Sequence, residues 1–470
     1  EFSDVAVLVF SRTGGEGTDL PEDMGPIMDG STMEIGTKYT KGTYTNNSTK
    51  YDDFEAGQSY LELSKTEKDL VDMVCGLFDN VIVVYNGANT MELGWTNDYD
   101  QIKSVLLCAG AGATGFNALG NIIAGEVNPS GKTADTWLKD LNSAPYINNI
   151  GHFAYTNTSD VSDAAKEAWE RADGIVSFVD YVEGIYVGYR FYETAASEGL
   201  IDYDKTVLYP FGYGLSYTTF TQEMGKITEN DGTISFDVTV TNTGDTAGKD
   251  VVEVYYNPPY TNGGIEKASA NLIAYDKTKS LEPGESQTLT ISFKAEDMAS
   301  YDYQKEKGYV LEAGDYEISI NTDSHHIIES ETYTVDETVK YTGDNKRSTD
   351  QTTVENQFDY AAGDVTYLSR ANGFANCKEA TAAPESLSMS KEAKKEFINN
   401  SNYNPEDYNN EEDKMPETGA KNDIELADLR GVDYDDAKWD ELLDNMTISD
   451  MDTVIALGGY QTAAASSVGK

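Results

Sequence analysis

The sequence predicts a multidomain chain in which an α/β layer is followed by an all-β sandwich. Three observations carry this. At 470 residues the chain exceeds one compact domain of about 100–200 residues. Up to about residue 135, continuous apolar runs such as Val5–Phe10 and Val81–Tyr85 alternate with helical stretches, as the strands of a parallel sheet buried on both faces do. Beyond Gly232 the hydrophobic period falls to two and helices cease, the pattern of short sandwich strands.

The first strand is Val5–Phe10, ending before Gly14-Gly15. Residues 65–78 (KTEKDLVDMVCGLF) repeat apolar positions at i, i+3, i+4 and i+7, and Ser64 with Glu67 three residues on is a capping-box pair. Val81–Tyr85 and Ile102–Leu107 are the next strands, and 115–124 a second helix. After Gly232, residues 233–242 alternate strictly, and 251–256, 287–293 and 316–320 are further strands. They are separated by the turn signals Asn242-Thr243-Gly244-Asp245, Pro283-Gly284 and Ala313-Gly314-Asp315. From 336 to 425 the chain is polar and acidic, and reads as a linker or long surface excursion. A helix through Trp439, Leu442, Leu443 and Met446 follows, with a second start after Thr447. The apolar face of that last element has no partner in the sequence.

Composition narrows the function classes. There are 34 Lys plus Arg against 82 Asp plus Glu, a net charge of −48. Such a surface repels phosphate backbones and anionic membranes and leaves a neutral sugar compatible. Cys75, Cys108 and Cys377 allow no disulfide framework or metal quartet, and the first two sit in apolar runs as core thiols. His152, His325 and His326 are too few and scattered for a histidine-rich metal site, so neither metal nor cofactor is expected. No apolar run reaches 18 residues, so no span of the membrane is expected. The chain opens on Glu1-Phe2-Ser3-Asp4 without Met or signal peptide. Its start therefore reads as cut, and cytoplasmic and secreted locations both stay open.

Four segments bear on chemistry. Ser11–Pro21 (SRTGGEGTDLP) leaves the first strand at its carboxyl end, where α/β sheets place ligand sites. Glycines flank Glu16 and leave its carboxyl reachable for general acid/base work; the plainer reading is a glycine-rich strand exit with a solvated carboxylate. Gly110–Gly115 spells G-x-G-x-x-G between a strand and a helix, but no acidic residue closes a strand about 20 positions on, so a dinucleotide site is not expected. Gly125–Thr133 ends like a phosphate loop, yet Glu126 stands where its first glycine belongs and Pro129 removes a donor. The aromatic cluster Tyr181, Tyr186, Tyr189, Phe191, Tyr192, Tyr209, Phe211, Tyr213, Tyr217 and Phe220 reads as interdomain packing before sugar stacking.

Taken together these segments resemble glycoside hydrolase family 3, the β-glucosidase type. SRTGGEGTDLP is similar to that family's strand ending in S-G-E-G-x-D-R, keeping Gly15-Glu16-Gly17 and Asp19, with Leu20 where Arg is usual. AGEVNPSGKTADTW is similar to its G-x-x-N-P-S-G-K-L-P segment, with Ala134 and Asp135 departing from Leu-Pro. Residues 181–190 (YVEGIYVGYR) and 209–217 (YPFGYGLSY) match closely, as do Val240–Asp245 and Leu281–Ser286 of its fibronectin type III-like domain. Trp439–Thr447 resembles the beginning of its (β/α)8 barrel but lies last, as in domain-permuted members.

The resemblance implies an αβα sandwich, N-terminally incomplete, over 1–160; a connecting segment packed on it over 161–222; a fibronectin type III-like domain over 223–335; a polar acidic linker over 336–425; and the beginning of a truncated barrel over 426–470. It implies a retaining glycoside hydrolase that releases terminal non-reducing β-D-glucose from β-glucosides and oligosaccharides. Glu16 is the general acid/base, the nucleophile lies outside this chain, and the chain alone is inactive. β-Xylosidase or α-arabinofuranosidase activity, or a non-catalytic carbohydrate-binding or structural module, are the alternatives. The implied partner is carbohydrate, without nucleic acid, and a homo-oligomer is compatible.

Overall fold

The computed structural model describes residues 3–12, 20–28, 44–112, 114–150, 153–159, 176–358, 365–401, 406, 409–415, 418–459 and 463–469. The chain divides into two compact units, Glu1–Ser401 and Asn402–Lys470.

The first unit opens with three parallel strands, β1 (Ala6–Arg12), β2 (Val81–Gly87) and β3 (Ile102–Cys108), in the order β1-β2-β3. The register pairs Leu8 with Val83 and Phe10 with Tyr85, so one sheet face presents Leu8, Phe10, Val81, Val83 and Tyr85. Onto it packs helix α1 (Lys65–Cys75) through Val71 and Cys75. The expected capping box is present: Glu67 N donates to Ser64 Oγ at 3.2 Å, and Ser64 N donates to Glu67 Oε2 at 2.9 Å, occupying two donors that the helix start would otherwise leave unpaired. The second helix, α2 (Phe116–Ile123), buries no residue despite its apolar sequence. The core-thiol expectation holds for buried Cys75, whereas Cys108 is only half-buried because it closes β3 at the sheet edge.

A connector follows, with helix α3 (Tyr189–Ser197) as its main element. Its Tyr186, Phe191, Tyr192, Ala195 and Val207 share one core with Leu138 and Ala144 before it and Ala268 after it. Leu368, Phe374 and Ala380 belong to that same core, although they lie in the polar stretch 336–425 expected as linker. A few well-placed apolar residues suffice there because Arg370 fastens the backbone: its Nε donates to Glu198 Oε1 at 2.6 Å and its NH1 to the Lys267 carbonyl at 3.0 Å. Phe374 adopts a left-handed φ of 59°, unusual for a bulky side chain, and is held there edge-on against Tyr186 at 4.9 Å.

The all-β part is a sandwich. One sheet joins β4 (Phe220–Met224), β5 (Thr233–Asn242) and β8 (Ser286–Lys294) in the order β8-β5-β4, all antiparallel. The other joins β6 (Val251–Asn257), β7 (Asn271–Lys277), β10 (Gly314–Asn321) and β11 (Ile327–Val335) in the order β7-β6-β10-β11. A small third sheet pairs β9 (Gly308–Leu311) with Ser300–Asp302 and with β12 (Val339–Tyr341). Alternate residues of β5 (Ile234, Phe236, Val238, Val240) meet Leu289, Ile291 and Phe293 of β8 and Val252, Val254, Ile318 and Ile320 of the facing sheet in one core, the period of two expected of half-buried strands.

The second unit holds helices α4 (Lys438–Asn445) and α5 (Ile448–Leu457) around Leu429, Leu442 and Val468. Thr447 caps α5 by accepting from Asp450 N at 3.1 Å. Ile455 is 81% exposed, so the apolar face of this element is uncovered among the described residues of the unit.

Three groups, His325 and Glu253 where connector and sandwich meet and Glu92 after β2, give the first unit a pH dependence of one sign. His325 Nδ1 lies 2.8 Å from Glu193 Oε2, which with the nearby carboxylates Asp323 and Asp204 raises the imidazole above its ordinary 6.5. The Tyr203 ring stacks on it at 3.6 Å and the His326 ring stands edge-on at 5.2 Å. Stability from a raised histidine is complete below 6.5 and is lost as pH rises through the folded value. Burial pushes Glu253, 3% exposed, and Glu92 each up to about 7. A raised carboxyl favours its neutral form on folding, so it too costs stability as pH climbs from about 4.5 to 7. The melting temperature is therefore expected to fall between pH 5 and 8. Glu253→Gln should recover on the order of 1–3 kcal/mol at pH 8 and almost nothing at pH 4. Thermal melts of both proteins across that range check it; equal gains at both ends would remove Glu253 as the cause.

Candidate active site

Because β1, β2 and β3 all run in one direction, their carboxyl ends form a single edge, with Arg12 paired to Gly87 and Asn86 to Cys108. An open α/β sheet binds ligands outside that edge. Three exits leave it: residues 13–19 after β1, the Asn86–Leu93 segment after β2, and the Gly110–Gly115 segment after β3. Glu16, the sequence-derived acid/base, lies in the first and falls outside the described residues.

The root of the Glu16 segment is defined by Arg12. Its side chain is only 4% exposed and its guanidinium is bound on every side. NH1 donates to Glu67 Oε1 and NH2 to Glu67 Oε2, both at 2.7 Å; NH2 also reaches the Glu62 carbonyl at 2.8 Å, and NH1 the Ser11 carbonyl at 3.1 Å. Nε donates to the Tyr60 carbonyl, and the Tyr60 ring lies 4.8 Å from the guanidinium carbon. A bidentate fork of this kind fixes direction as well as distance. Glu67 therefore serves two purposes, closing the α1 cap and anchoring the end of β1. Sequence reasoning found the cap but not Arg12. The available signal was a charged residue closing an apolar strand, where only a buried partner makes it tolerable.

The second exit is packed tightly. A Cβ on Gly87 would collide with the Tyr85 hydroxyl, so only glycine lets the chain turn there. Asn86 Nδ2 donates to the Cys108 carbonyl at 2.9 Å and ties the second exit to the third. Glu92 Oε1 accepts from Leu141 N at 2.7 Å. The buried donors Tyr85 Oη, Asn89 Nδ2 and Trp95 Nε1 find no partner among the described residues, leaving hydrogen-bonding capacity unspent near this edge.

The phosphate-loop-like segment does other work. Asn128 Nδ2 donates to the Ala247 carbonyl at 3.0 Å, while its Oδ1 accepts from Tyr217 N at 2.8 Å and Ser216 Oγ at 3.0 Å. Lys132 Nζ donates to the Thr322 carbonyl at 3.0 Å, and Lys277 Nζ to the Ser130 carbonyl at 2.7 Å. Residues 125–133 thus bracket the α/β layer to the sandwich, and the lysine that a phosphate would need is engaged. Most of the aromatic cluster packs as expected: Tyr189 stacks on Phe211 at 4.6 Å, Tyr209 on Tyr213 at 5.2 Å, and Tyr186 is buried, whereas Tyr181 and Tyr217 are exposed. His152 falls outside the described residues. Among the described residues no group of three His, Cys, Asp or Glu could hold a metal, and no helix is long and apolar enough to cross a membrane.

Comparison with known proteins agrees with this layout. Residues 1–189 match the glycosyl hydrolase family 3 C-terminal domain, and residues 250–324 the fibronectin type III-like domain. Beta-glucosidase A of Butyrivibrio fibrisolvens is 36% identical over 340 residues, covering 68% of this chain and 36% of that protein. The beta-glucosidase of Ruminococcus albus is 32% identical over 284 residues, covering 60% and 26%. Among solved structures, a beta-glucosidase from Paenibacillus barengoltzii superposes with a TM-score of 0.54 at 30% identity, over 72% of this chain and 31% of that one. Beta-glucosidase 3B of Thermotoga neapolitana, in complex with alpha-D-glucose, gives 0.51 at 29% identity, over 73% and 39%. The chain thus spans about a third of the length of the curated relatives it matches. From the α/β layer through the sandwich, the chain belongs to glycoside hydrolase family 3.

Proposed function

We propose that this chain is the acid/base-bearing part of a retaining glycoside hydrolase that releases terminal non-reducing β-D-glucose from β-glucosides and oligosaccharides. The observation that supports the reading is that β1 ends at a buried, locked Arg12 on the carboxyl edge of the parallel sheet, and Glu16 follows four residues later in the sequence. Glu16 first protonates the leaving glycosidic oxygen and then takes a proton from the water that hydrolyses the glycosyl-enzyme. The attacking carboxylate stands about 5–5.5 Å from it in this chemistry and is assigned to none of these 470 residues. Residues 426–470 begin a barrel placed after the sandwich, in the permuted order. The chain alone is therefore expected not to hydrolyse an aryl β-glucoside. Measurable turnover by the purified 470-residue protein would overturn the division of the carboxylate pair.

A second reading has specific support. Exo-alpha-(1->6)-L-arabinopyranosidase of Bifidobacterium breve is 31% identical over 278 residues, covering 58% of this chain and 31% of that protein. An arabinosidase or xylosidase would use the same Glu16 chemistry. Rates on aryl β-glucoside, β-xyloside and α-L-arabinoside, measured on a protein joining this chain to a barrel, separate the readings.

A further inference from the structure

We propose that the small third sheet at one end of the sandwich carries a binding site for a neutral oligosaccharide, in an open cleft walled by Tyr301. The cleft measures about 290 Å³, at the lower end of the range for small-molecule sites. It lies on the sandwich, and the proposal does not depend on the catalytic reading.

The aromatic wall is held in place before any ligand arrives. Tyr301 meets Tyr309 edge-on at 5.5 Å and 77°, and its hydroxyl donates to the Lys307 carbonyl at 3.2 Å. Tyr309 is in turn covered by the Arg347 guanidinium at 3.9 Å, which is ion-paired to Asp350 at 2.9 Å. A platform supported in this way loses little freedom on binding. Around it stand polar groups of the kind vicinal hydroxyls bind: the carboxylates Glu306 and Glu355 as acceptors, the Thr342 hydroxyl as donor and acceptor, and Asn356, whose Oδ1 accepts from Phe358 N at 2.9 Å. Glu306 is oriented by Lys340 at 2.8 Å.

The backbone supplies an independent sign. Lys307, on one side of the cleft, has a φ of 53°, left-handed for a residue that is not glycine, and Gly343 opposite it has a φ of 61°. Glycine takes this conformation freely, so the unusual residue is Lys307, and such conformations of side-chain-bearing residues gather at turns and binding sites. The lining also excludes other ligand classes. Glu306 is already paired with Lys340, so Glu355 and the chain's net charge of −48 are what disfavour an anion. The wall mixes polar and apolar surface in nearly equal parts, which suits an amphipathic ligand better than a wholly hydrophobic one. A sugar ring, apolar on its faces and hydroxylated at its rim, matches both the tyrosine and the polar surround.

The test is calorimetric titration of the 470-residue protein with cellopentaose, laminaripentaose and xylopentaose, with trigalacturonate as the anionic control. At least one neutral pentasaccharide is expected to bind and trigalacturonate is not. Tyr301→Ala should weaken the binding about tenfold or more, Tyr301→Phe much less, and Glu355→Gln by about three- to tenfold. If circular dichroism shows Tyr301→Ala misfolded, the exposed pair Glu355→Gln and Asn356→Ala decides. No binding of any neutral probe at about 10 mM, equal binding of the anion, or affinity indifferent to these substitutions would each overturn the proposal.

Discussion

Replacing Glu16 by alanine, in a protein that carries these residues together with a barrel, is expected to slow hydrolysis of a β-glucoside with a poor leaving group by about 10²–10⁴-fold. The physical reason is the charge that develops on the departing oxygen. Without a proton donor an alkoxide must leave, whereas a nitrophenolate leaves unaided, so an activated aryl β-glucoside should lose far less in the first step. Release of the glycosyl-enzyme then needs a base to activate water, and azide, which needs none, should restore part of the rate as a glycosyl azide. Rates for both leaving groups, with and without azide, decide the matter. A loss equal for the two, or none, would move the acid/base role to another residue. A protein with no activity before substitution would favour a binding or structural module.

Arg12→Ala should destabilise the first unit by about 3–5 kcal/mol, lowering its melting temperature by roughly 10 °C. The substitution leaves the Tyr60, Glu62 and Ser11 carbonyls without their donor and strands Glu67 beside a cavity. Removing one member of a buried pair costs the desolvation of the other. Arg12→Lys should recover only part, because one ammonium cannot reproduce two parallel bonds to Glu67. Thermal denaturation of the three proteins reads this directly. A loss under about 1 kcal/mol, the value of an exposed pair, would mean that the Arg12–Glu67 pair does not hold the end of β1.

Much of this was legible in the residues. The apolar runs of β1, β2 and β3, the Ser64–Glu67 box and the strict alternation of 233–242 each register burial at short range, and each appears where the periodicity puts it. β7 and β11 were less visible. Both are edge strands, where one side of the ladder is unpaired and the pattern is diluted: the side chains of β7 are half-buried or exposed throughout. The stretch 336–425 looked uniformly polar, yet Leu368 and Phe374 are buried because the connector, far away in sequence, offers Tyr186 and Phe191 to receive them.

The candidate site divides in the same way. Glycines on both sides of Glu16 made it a candidate, and the resemblance to the family, not the spacing, gave it the acid/base role. Arg12 was invisible to that reasoning, since its partners are 48 to 55 residues away, and so was the cleft at Tyr301, assembled from turns about 40 residues apart. The sequence by itself determined the α/β layer and the sandwich, because periodicity acts within a few residues, and the role proposed for Glu16 rests on the family resemblance. Only the tertiary structure decided what holds the site's root, what the phosphate-loop look-alike does and where a second ligand would rest, because those depend on hydrogen bonds whose partners meet only once the chain has folded.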